Sequence, residues 1–162
     1  MRHTISVLVE NKFGVLARVA GLFSGRGYNI ESLSVAPTED EQISYMTIVT
    51  RGEDRIIEQV LKQLNKLVDV IKVQDLTGKP FVEREMVFLK VVTDGDKRSE
   101  VMRLVDIFRA RIVDASSKGF IIEITGTEDK IQALVDLLKP LGLKEIARTG
   151  SVAMLRTEQG AK

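Results

Sequence analysis

Two kinds of hydrophobic spacing alternate along the first half of this chain, and their order predicts a fold class. Residues 4–10, 28–36, 43–51 and 68–76 have the alternation or composition of β-strands. Between them, apolar residues at helical spacing predict two helices, with Leu16, Val19, Ala20 and Phe23 in one and Ile56, Ile57, Val60, Leu61 and Leu64 in the other. The order βαββαβ predicts an α+β, ferredoxin-like domain, with both helices on one face of an antiparallel sheet.

The second half repeats this order of elements without repeating the residues. Residues 77–80 break the pattern, so we expect a first domain at 1–78 and a second domain at 79–162. Strands are predicted at 85–93, 111–116, 120–125 and 143–147, and the helical spacings are Val101, Leu104, Val105, Phe108 and Ile131, Leu134, Val135, Leu138. Thr127 is expected to cap the last helix, and the polar tail 157–162 is expected to be loose. The prediction is two ferredoxin-like βαββαβ domains in tandem.

The strongest candidate for a binding site is the turn that joins the first predicted strand to the first predicted helix. The first N–H groups of a helix have no internal partner and the helix dipole is positive there, so the backbone of residues 14–16 can hold a carboxylate. Gly14 would let the ligand approach the backbone, while the amides of Asn11 and Asn29 can meet the charged groups of an amino acid. An ordinary strand-to-helix turn uses the same residue types, and from these residues alone both interpretations stay open.

Composition narrows the classes of function. The chain has 162 residues, a formal net charge of +1 and no cysteine, so we expect no disulfide, thiolate metal site or thiol nucleophile. The charges are well mixed and the predicted central strands lack basic and aromatic interleaving, which argues against nucleic acid as a partner. No apolar run approaches the ~20 residues of a membrane span, and the N-terminus has no signal-peptide pattern. We therefore expect a soluble, cytoplasmic protein with no membrane partner.

Nothing in the sequence forms a recognisable catalytic centre. His3 is the only histidine, and we expect a surface or strand-end side chain that belongs to no catalytic dyad or metal site. The carboxylates of 39–41, 94 and 96 fall in polar turns, where solvated charges are usual. Gly21, Gly25 and Gly27 come late in a predicted helix, which is the wrong context for a nucleotide fingerprint and the right one for packing and a helix C-terminus.

Residues 9–23, VENKFGVLARVAGLF, and 26–33, RGYNIESL, closely resemble the ACT-domain signature of one family. That family is the regulatory small subunit of acetohydroxyacid synthase, also called acetolactate synthase. The resemblance continues through residues 74–76 and 84–85, and the second half is similar to the family's C-terminal domain. Phe13 stands where many ACT domains have proline, which alters the stiffness of the turn but leaves the role of its glycine intact.

The resemblance implies a subunit without catalytic activity or a cofactor of its own. Its partner would be a separate catalytic large subunit, which carries thiamine diphosphate, magnesium and FAD and performs the first common step towards valine, leucine and isoleucine. The small subunit activates that enzyme and confers feedback inhibition, usually by valine. The effector would lie between two ACT domains of a homodimer, at Asn11, Gly14, Val15, Leu16, Asn29 and Ile30.

Two questions stay open at this point. A free-standing ACT-type amino-acid sensor that regulates a different enzyme is the alternative function. The surface that contacts the catalytic subunit cannot be read from the residues, although the turn at 37–42 is one exposed candidate.

Overall fold

The computed structural model describes residues 1–157. Two compact units are present, residues 1–82 together with the C-terminal segment from Ser151, and residues 83–150. Each unit has the order βαββαβ, which confirms the prediction of two ferredoxin-like α+β domains. The tail predicted to be loose, 157–162, lies outside the described residues except for Thr157.

The first unit is a four-stranded antiparallel sheet with two helices on one face. Its elements are β1 (Arg2–Glu10), α1 (Val15–Gly25), β2 (Ile30–Pro37), β3 (Ile43–Arg51), α2 (Asp54–Asn65) and β4 (Val70–Asp75). The strand order is β2-β3-β1-β4, so β2 and β4 are the edge strands. Apolar residues of one sheet face and of both helices share a fully buried core, which includes Ile5, Val7, Ile48, Val19, Phe23, Ile57, Val60 and Leu64.

The end of α1 follows the predicted use of glycine. The helix ends at Gly25, and Gly27 takes a positive φ of 74°. The N–H of Gly27 donates to Ser24 O and that of Tyr28 donates to Phe23 O, which together form a Schellman motif. The helix therefore ends where the chain turns towards β2.

The second unit builds the same architecture from different residues. Its elements are β5 (Phe81–Val92), α3 (Asp96–Ile107), β6 (Arg111–Ser116), β7 (Gly119–Gly126), α4 (Glu128–Leu138), a 3-10 turn (Lys139–Leu141) and β8 (Leu143–Arg148). The strand order is β6-β7-β5-β8. Thr127 occupies the N-cap position of α4 with an extended backbone, although its side chain makes no capping hydrogen bond.

A ninth strand, β9 (Val152–Leu155), was not predicted from the sequence. It lies on the face of the first sheet opposite the helices, where Ala153 is buried. Tyr45 Oη donates to Ala153 O at 2.5 Å, and Ala153 N–H donates to Thr47 Oγ1 at 3.2 Å. Because β9 covers this face, Ser6 and Thr47 are buried although strand alternation points them away from the core.

Of the two positions predicted for His3, surface or strand end, the structure confirms the strand end and shows that the residue is not on the surface. The residue is buried, with 4% of its surface exposed. Nε2 lies 3.0 Å from Asp54 Oδ1, at the start of α2, and Nδ1 lies 3.6 Å from Asp75 Oδ2, at the end of β4. The two carboxylates are distant from His3 in the sequence, so only the folded sheet brings them to it.

Candidate functional site

The turn between β1 and α1 leaves the N-terminus of the helix open. Gly14 occupies the N-cap position with φ 82° and ψ −9°, a left-handed conformation that glycine adopts without steric cost. No side chain caps α1, and its first turn contains no acidic residue. The Val15 N–H lies 3.4 Å from Lys12 O, at the long end of hydrogen bonding. The positive end of the helix dipole is therefore available to an external anion.

Asn11 is fixed in place by the turn between β2 and β3. Its backbone N–H donates to Gln42 O at 2.7 Å, and its side-chain Nδ2 donates to Glu41 O at 2.9 Å. An asparagine amide that donates through nitrogen still has its carbonyl oxygen as an acceptor. Asn11 can therefore offer Oδ1 to the ammonium group of an amino acid whose carboxylate lies at the helix N-terminus.

Two cations stand next to the turn, and each already has an acidic partner. Arg18 Nη2 donates to Asp69 Oδ2 across the unit. Lys12 Nζ lies 2.9 Å from Glu10 Oε2, and its hydrogen bond and charge attraction to that carboxylate raise the pKa of Lys12. Since both charges are engaged, the backbone amides are the main feature of the turn that favours an anion.

Arg18 is a neighbour that the sequence reasoning missed. A Cβ placed on Gly14 would lie 3.4 Å from Arg18 Nη1, so the guanidinium borders the space above the glycine. The available signal was the spacing, because a residue four positions after the cap lies one helical turn above it.

The apolar residues predicted for the site divide into two groups. Val15 is 2% exposed and belongs to the core, so it offers a ligand its backbone N–H alone. Ile30 is half-buried and also packs on the core. Leu16 is 41% exposed and presents apolar surface beside the open helix end.

The structure brings four of the six predicted site residues together and places the other two at the opposite end of the sheet. Asn11, Gly14, Val15 and Leu16 follow the end of β1, where Glu10 pairs with Ile43. Ile30 pairs with Thr50, which also pairs with His3 at the start of β1. From His3 to Glu10 a strand rises about 23 Å. Within one chain, Asn29 and Ile30 therefore cannot line a small pocket with Asn11.

The side chain of Asn29 is exposed at that far end. Its backbone carbonyl accepts a hydrogen bond from Thr50 Oγ1 at 2.8 Å, which fixes the start of β2. The backbone at Asn29 is thus held in a defined position at the edge of the sheet.

The equivalent turn of the second unit, between β5 and α3, is different in charge. Gly95 is its N-cap, with φ 54° and ψ −133°, and Asp96 lies in the first turn of the helix after Asp94. The start of α3 therefore carries negative charge from the chain itself, although no side chain caps the helix. Within residues 1–157, no group of three or more His, Cys, Asp or Glu side chains is arranged to hold a metal ion. No helix in that part of the chain is long and apolar enough to span a membrane.

Comparisons with known proteins assign both halves of the chain to one family. Residues 5–72 match the family model described as the AHAS small subunit-like ACT domain. Residues 84–157 match the model described as the small subunit of acetolactate synthase. The chain belongs to the acetolactate synthase small-subunit family.

Individual relatives agree with this assignment. A protein of Archaeoglobus fulgidus, described as a probable acetolactate synthase small subunit, is 58% identical, with 96% of this chain and 98% of that protein covered. The acetolactate synthase small subunit of Aquifex aeolicus is 54% identical over 96% of this chain and 81% of its own length. The crystal structure of the small subunit from Thermotoga maritima has a TM-score of 0.88 at 46% identity and covers 98% of this chain and 99% of that one.

The family gives the chain a regulatory role beside a catalytic subunit. It also identifies the first unit as an ACT domain, as the resemblance implied. Which residues bind an effector is a separate question, and Asn11, Gly14, Val15, Leu16, Asn29 and Ile30 stay a prediction.

Proposed function

We propose that this chain is the valine-responsive regulatory subunit of acetolactate synthase, with residues 1–78 as the domain that binds the effector and forms the dimer. The observation that carries this proposal is the uncapped, acid-free N-terminus of α1 at Gly14, with Asn11 fixed beside it. A small amino acid has the two charged groups that such a turn can accept. The family supports the regulatory role, and the turn supports the kind of effector.

In this proposal, valine binds chiefly through backbone groups. Its carboxylate accepts hydrogen bonds from N–H groups at the start of α1, and its ammonium donates to Asn11 Oδ1. The isopropyl group lies against the exposed side chain of Leu16. Since a methylene group is worth about 1–3 kcal/mol of discrimination in an apolar pocket, leucine and isoleucine bind as well, but more weakly.

The edge strand β2 supports a site that two chains complete. β2 is an outer strand of its sheet, so one row of its backbone groups can pair with another chain. A twofold axis would pair two β2 strands antiparallel. The Ile30 end of one chain would then meet the Pro37 end of its partner, which is the end where Asn11 and Gly14 lie. This dimer would bring Asn29 of one chain towards the α1 turn of the other.

Regulation follows from a difference in affinity. Valine bridging two chains favours the dimer arrangement that it binds more tightly, and it shifts the equilibrium by no more than that difference. The coupling to the catalytic subunit is expected to be about 1–3 kcal/mol. Catalysis itself stays with that partner, which holds thiamine diphosphate, magnesium and FAD, while this chain contributes no cofactor. Both proteins act in the cytoplasm.

The test is reconstitution with the catalytic large subunit of the same organism. Acetolactate formation is measured for the large subunit alone, for this chain alone and for the mixture, and valine is then titrated into the mixture. We expect no activity from this chain alone, stimulation in the mixture and inhibition by valine. No association and no stimulation, with valine binding retained, would instead favour a free-standing sensor for another enzyme.

A further inference from the structure

The first unit has a groove on the sheet face opposite its helices. It has a volume of about 580 Å3 and lies between β9 and the hairpin formed by β2 and β3. Its floor and walls are largely apolar, from Leu8, Ala36, Ile43, Tyr45, Val152 and Met154. We call it the hairpin groove.

The groove is open to solvent on one side, so it fits a protein segment better than a small molecule. Met154 on β9 is 61% exposed and Val152 is 49% exposed, so the wall formed by β9 is accessible. Small-molecule sites commonly bury 70–90% of their ligand, which an open groove over a sheet does not achieve. A protein segment that lay over such a groove from outside would supply the missing wall.

One rim of the groove is acidic. Glu39 and Asp40 line it, and Glu41 follows them in the exposed turn between β2 and β3. Within residues 1–157, these three side chains form no ion pair with Lys or Arg. Asp40 Oδ1 accepts the Gln42 N–H at 3.0 Å, which holds the turn in shape without neutralising the rim. The rim therefore complements a basic side chain on a partner.

The rim is also connected to the turn at Gly14. Asn11 donates to Glu41 O and to Gln42 O, so the same turn carries the acidic residues and fixes Asn11. A ligand that pulls on Asn11 Oδ1 acts on this turn through two hydrogen bonds. The groove is thereby joined to the α1 turn by contacts within one unit.

We propose that the hairpin groove receives a segment of the catalytic subunit that inserts an apolar side chain beside Tyr45 and places a Lys or Arg against Glu39 and Asp40. This inference rests on the proposed function, because it takes the catalytic subunit as the partner. Valine then alters that contact through Asn11 and the β2–β3 turn. By linkage, the catalytic subunit changes the affinity for valine by the same factor as valine changes the affinity for the catalytic subunit.

The test uses two groove variants of the full chain and one control. Glu39→Lys reverses a rim charge, and Met154→Glu places an acid on the exposed apolar wall. Glu58→Lys makes the same charge change as Glu39→Lys on exposed α2, on the other side of the sheet. Association with the catalytic subunit is measured without valine at two salt concentrations, and valine binding to each variant alone is measured by calorimetry.

We expect both groove variants to bind the catalytic subunit at least about tenfold more weakly than the wild type, while Glu58→Lys binds like the wild type. Glu39→Lys should also reduce the salt dependence of association. Valine binding to the isolated variants should be unchanged, which shows that they are folded.

Equal association of all four proteins would overturn the groove assignment and leave the proposed function standing. Failure of the wild-type chain to bind the catalytic subunit would count against the proposed function itself. A change in the sedimentation of the groove variants alone, without weaker binding of the catalytic subunit, would mean that a second copy of this chain occupies the groove, and the proposal would be wrong.

Discussion

Each unit has a strand-to-helix turn at the same place in its architecture, residues 11–16 in the first and residues 93–97 in the second. The two turns differ in charge. Both begin their helix with a glycine at positive φ, Gly14 at 82° and Gly95 at 54°. α1 has no acid in its first turn, whereas α3 begins with Asp96. A helix N-terminus attracts a carboxylate in either case, and the second turn supplies one from its own chain. A glycine at positive φ before a helix therefore does not by itself make an anion site.

The largest expected effect is loss of valine inhibition in Gly14→Asp. Aspartate tolerates left-handed backbone better than most residues, and its carboxylate would lie at the open end of α1, near Arg18. It would give the first turn the charge that Asp96 gives the second. In the reconstituted enzyme we expect the inhibitory valine concentration to rise at least about 100-fold, or about 2.7 kcal/mol, with activation retained.

Gly14→Asn is the matched control, because it has nearly the same size without the charge. It should lose less valine sensitivity than Gly14→Asp. Inhibition of Gly14→Asp at the wild-type valine concentration would show that valine binds elsewhere.

The second-largest expected effect is a loss of stability without a loss of valine binding. Gly95→Ala forces a Cβ onto a backbone with φ 54° and ψ −133°, a region that is open to glycine and costly for other residues. We expect the free energy of unfolding of the second unit to fall by about 1–3 kcal/mol, measured by urea titration. Valine affinity, measured by calorimetry on the folded protein, should stay at the wild-type value. A parallel loss of valine binding would mean that the second unit takes part in the site.

Asn29→His should weaken valine binding by about tenfold, or about 1.4 kcal/mol. The imidazole removes the amide and crowds the end of β2, where Asn29 is exposed. Since Asn29 lies far from Gly14 in its own chain, this effect requires a second copy. Calorimetry at fixed protein concentration measures it, and an unchanged affinity would remove Asn29 from the site.

The smallest effect concerns Asp96. Asp96→Ala removes the acid from the first turn of α3 and should lower the free energy of unfolding by about 0.3–1 kcal/mol. It should not create valine binding in the second unit by itself, because that turn has no counterpart of the fixed Asn11. Detection of a second valine per chain would show that an open helix end alone is sufficient.

Much of the fold was predictable from local signals. The periodicities identified eight strands and four helices because each element buries one face on its own unit. β9 was not predicted because Val152–Leu155 is too short to show a pattern. Its position depends on tertiary contacts, namely the burial of Ala153 and the hydrogen bonds of Ala153 with Tyr45 and Thr47. The burial of His3 was missed for the same reason, since Asp54 and Asp75 reach it only through tertiary structure.

The candidate site was predictable in part. Gly14 at the start of a helix signals an open backbone, and the structure places it as the N-cap. The role of Glu41 and Gln42 in fixing Asn11 depends on carbonyl positions that no residue type reveals. The separation of Asn29 from Asn11 was implicit in the predicted βαββαβ order, because β1 and β2 run parallel and α1 carries the chain back to the opposite end of the sheet. The hairpin groove was hidden because β9 forms one of its walls.

The central claim is that one valine is bound by the α1 turn of one chain and Asn29 of another. Mixed dimers of Gly14→Asp chains and Asn29→His chains test it, because one of their two sites then has both a wild-type turn and a wild-type Asn29. Calorimetry is done at a valine concentration at which neither parent dimer binds valine. It should show one valine bound per mixed dimer. Absence of binding in the mixed dimer, with two valines bound by wild-type dimers under the same conditions, would contradict the shared site.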